Sequence, residues 1–204
     1  MTSAAPLPIP PAAPVRFHVP QRVSPFQNSY RVLADDGGAP GALVAFAQQK
    51  RLAFKEQFTL FRDEGRSTPV LTIVADRRLD VRSTMTVRDP AGTVVGVLRK
   101  RGAASLLRST WEAEQPGRPP VVVQERSLAV ALLRRLWNVV PFVGDVPLPF
   151  VFHFDGVDAA GDTVFSHERR WGLRDRYVLE VRPDRLDPRL AIALAVCLDA
   201  LQSR

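Results

Sequence analysis

Three clusters of lysine and arginine recur along the chain, and their residue types are suited to binding phosphate groups. Each cluster ends a stretch of residues that follows an Asp-x-x-Gly motif. Lysine and arginine donate charged hydrogen bonds to phosphate oxygens. If the three stretches are structurally equivalent, the clusters lie at equivalent strand ends, and one or more of them form a cationic rim. The alternative is that they point away from one another. The clusters are Lys50-Arg51, Arg99-Lys100-Arg101 and Arg169-Arg170.

A further basic stretch combines arginine with apolar residues. Residues 128–140 predict a helix that is ended by Pro141. Arg134, Arg135 and Trp137 on such a helix suit a membrane interface, where basic and tryptophan side chains are both favoured. The alternative is a helix that covers one mouth of the domain and turns its arginines outward.

Side chains that carry out catalysis or bind metals are few in this sequence. His18, His153 and His167 do not fall at metal-ligand spacing, and the last two are predicted to be solvated strand residues. Cys197, the single cysteine, lies in an apolar run and is predicted to be a core residue. The sequence also lacks Gly-x-Ser-x-Gly, His-Glu-x-x-His and Gly-rich phosphate-binding motifs. We therefore expect no catalysis, no metal site and no cofactor.

The charge of the chain favours anionic partners. Its 204 residues have a formal net charge of +7, supplied almost entirely by arginine. Such an excess favours an acidic membrane surface or nucleic acid. Nucleic acid is the less favoured partner, because no stacked-aromatic platform or docking motif accompanies the charge. The alternative is that the arginines only solvate strand faces. The lysine-poor, arginine-rich composition is typical of bacteria with GC-rich genomes.

From residue 26 onward the sequence predicts antiparallel strands. Apolar and polar residues alternate, as they do in half-buried strands. The unit of strand, Asp-x-x-Gly turn, strand and basic cluster recurs three times, with turns at 35–38, 89–92 and 158–161. A repeated meander that closes on itself has no free edges. The predicted strands lie near 30–34, 42–48, 54–61, 69–75, 81–88, 93–101, 106–113, 120–126, 150–154, 162–170 and 177–181.

The C-terminal segment predicts a helix that is apolar on every face. Asp187 can cap it, Pro188 suits its first position, and Leu190–Leu198 is an unbroken apolar run. A helix over about 188–202 is shorter than the about 20 residues that a bilayer span requires. We therefore expect protein to enclose it. The predicted fold is a closed antiparallel β-barrel around this helix.

The N-terminal residues 1–25 have a different composition from the rest. They contain seven prolines, which favour an extended, disordered tail. The sequence thus predicts this tail and a barrel domain over residues 26–204. The tail is either inert or a ligand for proline-recognising proteins.

Three passages of the sequence carry a resemblance to known proteins: Asn-Ser-Tyr-Arg-Val at 28–32, Asp-Pro-Ala-Gly-Thr-Val-Val-Gly at 89–96, and the closing passage from Trp171-Gly172 through residues 175–181 to Leu198-Asp199. They resemble the phospholipid scramblase family and, more broadly, the tubby-like and LURP-one-related superfamily. The resemblance implies a twelve-stranded antiparallel barrel threaded by a hydrophobic C-terminal helix. It also implies membrane work, because tubby domains bind phosphoinositides through basic residues and scramblases are linked to calcium-dependent phospholipid movement.

The chain departs from the scramblase pattern in two respects. It lacks the cysteine-rich segment by which palmitoylated scramblases attach to membranes. The positions that match the proposed calcium segment also alternate with arginines, which favours ion pairs over the six or more oxygen ligands that calcium takes. The carboxylates are Asp175, Glu180, Asp184 and Asp187, and the arginines are Arg174, Arg176, Arg182 and Arg185.

The residues and the resemblance together predict a scramblase-related, non-enzymatic protein that binds anionic phospholipid peripherally. We expect it on the cytoplasmic side, at the inner face of the plasma membrane. Lipid movement between leaflets is implied only by the resemblance. The competing prediction is a soluble module that binds a protein or small ligand on a tubby-like barrel, and nucleic-acid binding is a third.

Overall fold

The computed structural model describes residues 13–23, 27–50, 57–75, 84–101, 109–126, 153–170 and 176–202. Within these ranges, twelve strands form one closed antiparallel barrel. Each strand pairs with its neighbours in sequence, and the last strand pairs with the first. The predicted fold class is confirmed.

The elements are named here in chain order. The strands are β1 (Val15–Val23), β2 (Gln27–Asp36), β3 (Ala39–Lys50), β4 (Gln57–Phe61), β5 (Pro69–Ala75), β6 (Thr84–Arg88), β7 (Val94–Lys100), β8 (Thr110–Gln115), β9 (Arg118–Glu125), β10 (His153–Val157), β11 (Thr163–Arg170) and β12 (Arg176–Val181). They are followed by helix α1 (Pro188–Gln202).

Alternation of residue types separates the inner face of the wall from the outer face. In β6, Met85 and Val87 are fully buried, whereas Thr84 and Thr86 between them are only partly buried. The same alternation recurs around the barrel, so one apolar residue in two points to the interior. The closed wall leaves no free strand edge, and its lining can bury an apolar helix on all sides.

Helix α1 fills this interior. Every residue of Leu190–Leu198 is at most 2% exposed, as the sequence predicts for a helix apolar on all faces. Asp187 caps the helix start, since its Oδ1 accepts a hydrogen bond of 2.8 Å from the Arg189 amide. Among the described helices, none is both long and apolar enough to cross a membrane.

One glycine of the wall makes room for the start of α1. A Cβ added to Gly96 in β7 would lie 2.5 Å from the Glu114 carbonyl oxygen and 2.6 Å from Leu190 Cδ2. Real Cβ atoms essentially never come this close to other heavy atoms. Position 96 is therefore occupied by the residue without a side chain because the helix passes directly over it.

The three Asp-x-x-Gly motifs all lie in turns, but the turns are of two kinds. At 35–38 both Gly37 (φ 60°) and Gly38 have positive φ, whereas the other two motifs are closed by a hydrogen bond from the glycine amide to the aspartate carbonyl oxygen, at 2.9 Å for Gly92 and 3.1 Å for Gly161. The three turns join β2 to β3, β6 to β7 and β10 to β11, and each turn ends on a glycine with positive φ: Gly38 at 89°, Gly92 at 84° and Gly161 at 88°. A strand irregularity accompanies each turn. The internal repeat seen in the sequence thus corresponds to three four-strand units around one barrel.

The predicted boundary between tail and barrel at residue 26 is wrong. Strand β1 lies within residues 1–25 and closes the barrel by pairing with β12 and β2. Val15, Phe17 and Val19 alternate with polar residues and face the interior, and this pattern outweighs the high proline content. Pro20 is tolerated opposite Arg176, because a proline removes only one donor from the ladder. Residues 1–12 lie outside the described part.

Candidate functional site

The three basic clusters lie at one end of the barrel. Strands β3, β7 and β11 are four places apart in an antiparallel order, so they run in the same direction and finish at the same end. They finish at Lys50, Lys100 and Arg170. We call this the basic end. The opposite end, where the three Asp-x-x-Gly turns lie, is called the turn end.

The clusters occupy different sectors of the basic end. Three strands separate each of β3, β7 and β11 from the next, so the clusters divide the circumference into thirds. Adjacent strands lie about 4.8 Å apart, and four steps therefore span roughly 19 Å of wall. No single phosphate group can contact all three clusters. The arrangement is suited to a surface carrying many anionic groups.

The middle cluster divides between the two faces of the wall. Arg99 and Arg101 are about half exposed on the outer wall, where they form ion pairs with Glu114 at 2.9 Å and Glu112 at 2.7 Å. Hydrogen bonding to Glu112 raises the pKa of the Arg101 guanidinium. Lys100 lies opposite Trp111 on the inner face. The sequence showed three adjacent cations, but the strand turns neighbouring residues to opposite faces.

The third cluster divides in the same way. Arg169 follows the inner positions of Phe165 and His167 and lies opposite Tyr177, so it faces the mouth of the barrel. Arg170 is paired in register with Arg176 at the start of β12. The remaining predicted residue of the clusters, Arg51, lies outside the described residues.

The interior just below the basic end is polar. Glu125 and His167 line the wall and are each 1% exposed, and Asp199 near the end of α1 is 4% exposed. The prediction that His167 is a solvated strand residue is wrong. Residues alternate along β11, so His167 points inward with Phe165. The buried carboxylate in the apolar helix run was the sequence signal for this polar layer, and it was missed.

The other two histidines lie on the outer wall. His18 Nε2 lies 2.7 Å from Asp35 Oδ1, and His153 Nε2 lies 3.4 Å from Glu168 Oε1. His153 is partly buried, which is consistent with its predicted outward position. Each histidine therefore pairs with a carboxylate at a separate place.

The described turns at the turn end carry carboxylates interleaved with arginines. Asp35 accepts a hydrogen bond from the Gly38 amide, and this bond together with that of His18 lowers the pKa of Asp35. Hydrogen bonds from Ser67, with one from Thr68, lower the pKa of Asp63 in the loop between β4 and β5. Further carboxylates of the described turns are Asp36, Glu64, Asp89, Asp158, Asp162 and Asp184.

Three carboxylates of the proposed calcium segment pair with arginines. Glu180 lies 2.6 Å from Arg16, and Asp184 lies 3.6 Å from Arg185. Asp187 caps α1 and contacts the Arg189 guanidinium at 2.7 Å. No group of three or more potential metal ligands occurs within the described ranges. Asp175 lies outside those ranges.

A sequence model of the family described as LURP-one-related matches residues 43–199. The match covers most of the chain. The protein belongs to the LURP-one-related family. This family is related to the tubby-like proteins and the scramblases, so the resemblance seen in the three sequence passages is confirmed. A search of curated proteins found no match to this chain.

Two other sequence predictions for this LURP-one-related protein concern the predicted membrane-interface helix and the cysteine. Arg134, Arg135 and Trp137, with the predicted helix over 128–140, lie outside the described residues. Cys197 is 2% exposed within α1. Burial raises the pKa of its thiol to about 12, so the thiolate needed for nucleophilic attack is not formed at neutral pH. Cys197 is a core residue, as predicted.

Proposed function

We propose that this LURP-one-related protein is a non-enzymatic phospholipid-binding protein that associates peripherally with anionic membranes. The basic end faces the lipid, on the cytoplasmic side of the plasma membrane. The observation that carries the proposal is that three strands, spaced evenly around the barrel, finish in lysine or arginine at one end. The described turns at the opposite end mix carboxylates with arginines.

The expected affinity follows from the number of basic residues. A lysine or arginine near an anionic bilayer contributes about 1 kcal/mol. Three such residues, one from each cluster, therefore contribute about 3 kcal/mol in total, which is roughly a hundredfold in affinity. Salt screens these exposed charges, so binding should weaken steeply as ionic strength rises.

Arg99 and Arg101 are expected to contribute less than the sequence alone suggested. Glu112 and Glu114 lie within hydrogen-bonding distance of their guanidinium groups and offset their charge towards a distant surface. Lys50, Lys100 and Arg170 are the last residues of β3, β7 and β11, and they are the residues to test because of this position at the basic end.

The test is cosedimentation with vesicles of phosphatidylcholine, with and without phosphatidylserine, at low and high salt. We expect binding only to the phosphatidylserine vesicles at low salt. The triple variant Lys50→Ala, Lys100→Ala, Arg170→Ala should bind roughly a hundredfold more weakly. The matched control removes three arginines from the turn end, Arg66→Ala, Arg118→Ala, Arg182→Ala, and should bind within about twofold of the unmodified protein.

Other outcomes would favour the competing functions. Absence of binding to either vesicle would contradict the proposal and favour a soluble module that binds a protein or small ligand. Equal losses in the two triple variants would show a nonspecific charge effect. A gel shift with DNA or RNA at the same salt would favour nucleic acid. Labelled lipid in the same vesicles, with and without calcium, tests for movement between leaflets.

A further inference from the structure

We propose that His167 and Asp199 form a helix-positioning pair that fixes the C-terminal half of α1 at its depth in the barrel. The pair joins the polar layer of the wall to the helix. The inference concerns the fold and does not depend on lipid binding.

The start of α1 is fixed by directional contacts. Gln115, the last residue of β8, donates from Nε2 to the Arg185 carbonyl oxygen at 2.6 Å and accepts from the Asp187 amide at 2.8 Å. Gly96 accommodates Leu190 so closely that a Cβ would clash with it. Both contacts lie near the turn end, so the first turn of the helix is held there by directional hydrogen bonds and by close packing.

Within the described part of the chain, the middle of α1 has no comparable directional contact. Residues 190–198 are apolar and pack against an apolar wall. The free energy of apolar packing depends mainly on buried area and shape. Helix positions that differ by a small shift therefore differ less in free energy than they would if directional polar contacts held the helix. A polar pair at one layer is a known means of selecting a single position.

Asp199 and His167 supply such a pair at the other end. Asp199 Oδ1 lies 3.5 Å from His167 Nε2, and both side chains are at most 2% exposed. Tyr177 stacks on the His167 ring with centroids 4.9 Å apart and planes inclined by 9°. The stacking holds the His167 ring against the wall, so a shift of α1 would separate Asp199 from it and leave the carboxylate buried without this contact.

The contact is weak enough to be released. A distance of 3.5 Å is at the limit for a hydrogen bond. In the described part of the chain, His167 Nδ1 and Asp199 Oδ2 have no hydrogen-bond partner. An incompletely bonded buried pair contributes little net stability while still selecting one arrangement. Breaking it should loosen the end of α1 more than it destabilises the barrel.

The native thiol of Cys197 reports on this half of the helix. It is two residues before Asp199 and is 2% exposed, so a thiol reagent reaches it only when this part of α1 leaves the barrel. The labelling rate under native conditions, divided by the rate in unfolded protein at the same pH, measures that opening.

The test compares His167→Phe with Asp199→Leu, made together, against the unmodified protein. We expect Cys197 to label at least tenfold faster while the urea unfolding midpoint is unchanged or higher. The matched control is His153→Phe with Glu168→Leu, an equivalent pair at 3.4 Å on the outer wall. It should label at the rate of the unmodified protein.

Three results would overturn the proposal. The first is an unchanged labelling rate in the folded double variant. The second is faster labelling that only tracks a lower urea midpoint, which indicates global unfolding. If the double variant is insoluble, the single variant Asp199→Ala, which leaves the wall intact, is used for the same comparison of the labelling rate with the urea midpoint. The third is failure of both variants to fold, which would make the pair a requirement for folding and not a positioning device.

Discussion

Replacing Leu194 with aspartate should unfold the protein. Leu194 is fully buried near the middle of α1. An ion placed there without a partner costs several kcal/mol even after relaxation. Domains of this size are typically stable by about 5–15 kcal/mol, and the loss of packed leucine volume adds to the cost. We expect Leu194→Asp to show no cooperative thermal transition by circular dichroism.

The matched control for this substitution is Leu194→Met. It conserves volume and apolarity at the same position and should cost less than about 1.5 kcal/mol. Normal solubility and a normal melting temperature in Leu194→Asp would show that the helix is not enclosed by the barrel. The barrel would then not surround α1.

Replacing Gly96 with alanine should destabilise the barrel by about 3 kcal/mol, as overpacking of a dense core does. The added methyl group would meet the Glu114 carbonyl oxygen at 2.5 Å and two Leu190 methyl carbons at 2.6 and 2.9 Å. The carbonyl belongs to β8, which pairs with β7, so it cannot move without loss of that pairing. Urea denaturation measures the change in the free energy of unfolding.

Two further variants identify the cause of the destabilisation by Gly96→Ala. Gly92→Ala places a methyl group in open space at a residue with φ of 84°, so it should cost only about 1 kcal/mol from backbone strain. Adding Leu190→Ala to Gly96→Ala removes the methyl contacts but leaves the carbonyl contact. The cavity left at position 190 limits the benefit, but the combined loss should be smaller than the sum of the two single losses. Simple additivity would show that the two positions do not touch.

Much of the fold could be predicted because its cause is local. Alternation in residues 81–88 located β6, and the three Asp-x-x-Gly motifs located turns whose glycines have positive φ. The unbroken apolar run at 190–198 required an enclosing wall. The first strand was not predicted, because the seven prolines of residues 1–25 favoured a disordered tail over the alternation of Val15, Phe17 and Val19.

Less of the candidate site could be predicted, because side-chain direction depends on strand register and on long-range pairing. Lys100 and Arg101 are adjacent in sequence but face opposite sides of the wall. Glu112 lies 11 residues after Arg101 in the sequence. Their ion pair therefore depends on how β7 is aligned with β8, which the residue types alone do not show. His167 was placed in solvent from its polar neighbours, although its spacing from Phe165 indicated the interior.

The central claim is that the basic end of this LURP-one-related barrel faces an anionic membrane. Cys197 is first replaced by alanine, and a single cysteine is then introduced as Lys50→Cys at the basic end or as Ala160→Cys in the turn between β10 and β11. An environment-sensitive fluorophore is attached to the introduced cysteine. With phosphatidylserine vesicles that carry nitroxide-labelled lipid, the label at position 50 should be quenched and the label at 160 should not. Quenching at 160, or equal quenching at both positions, would contradict the account.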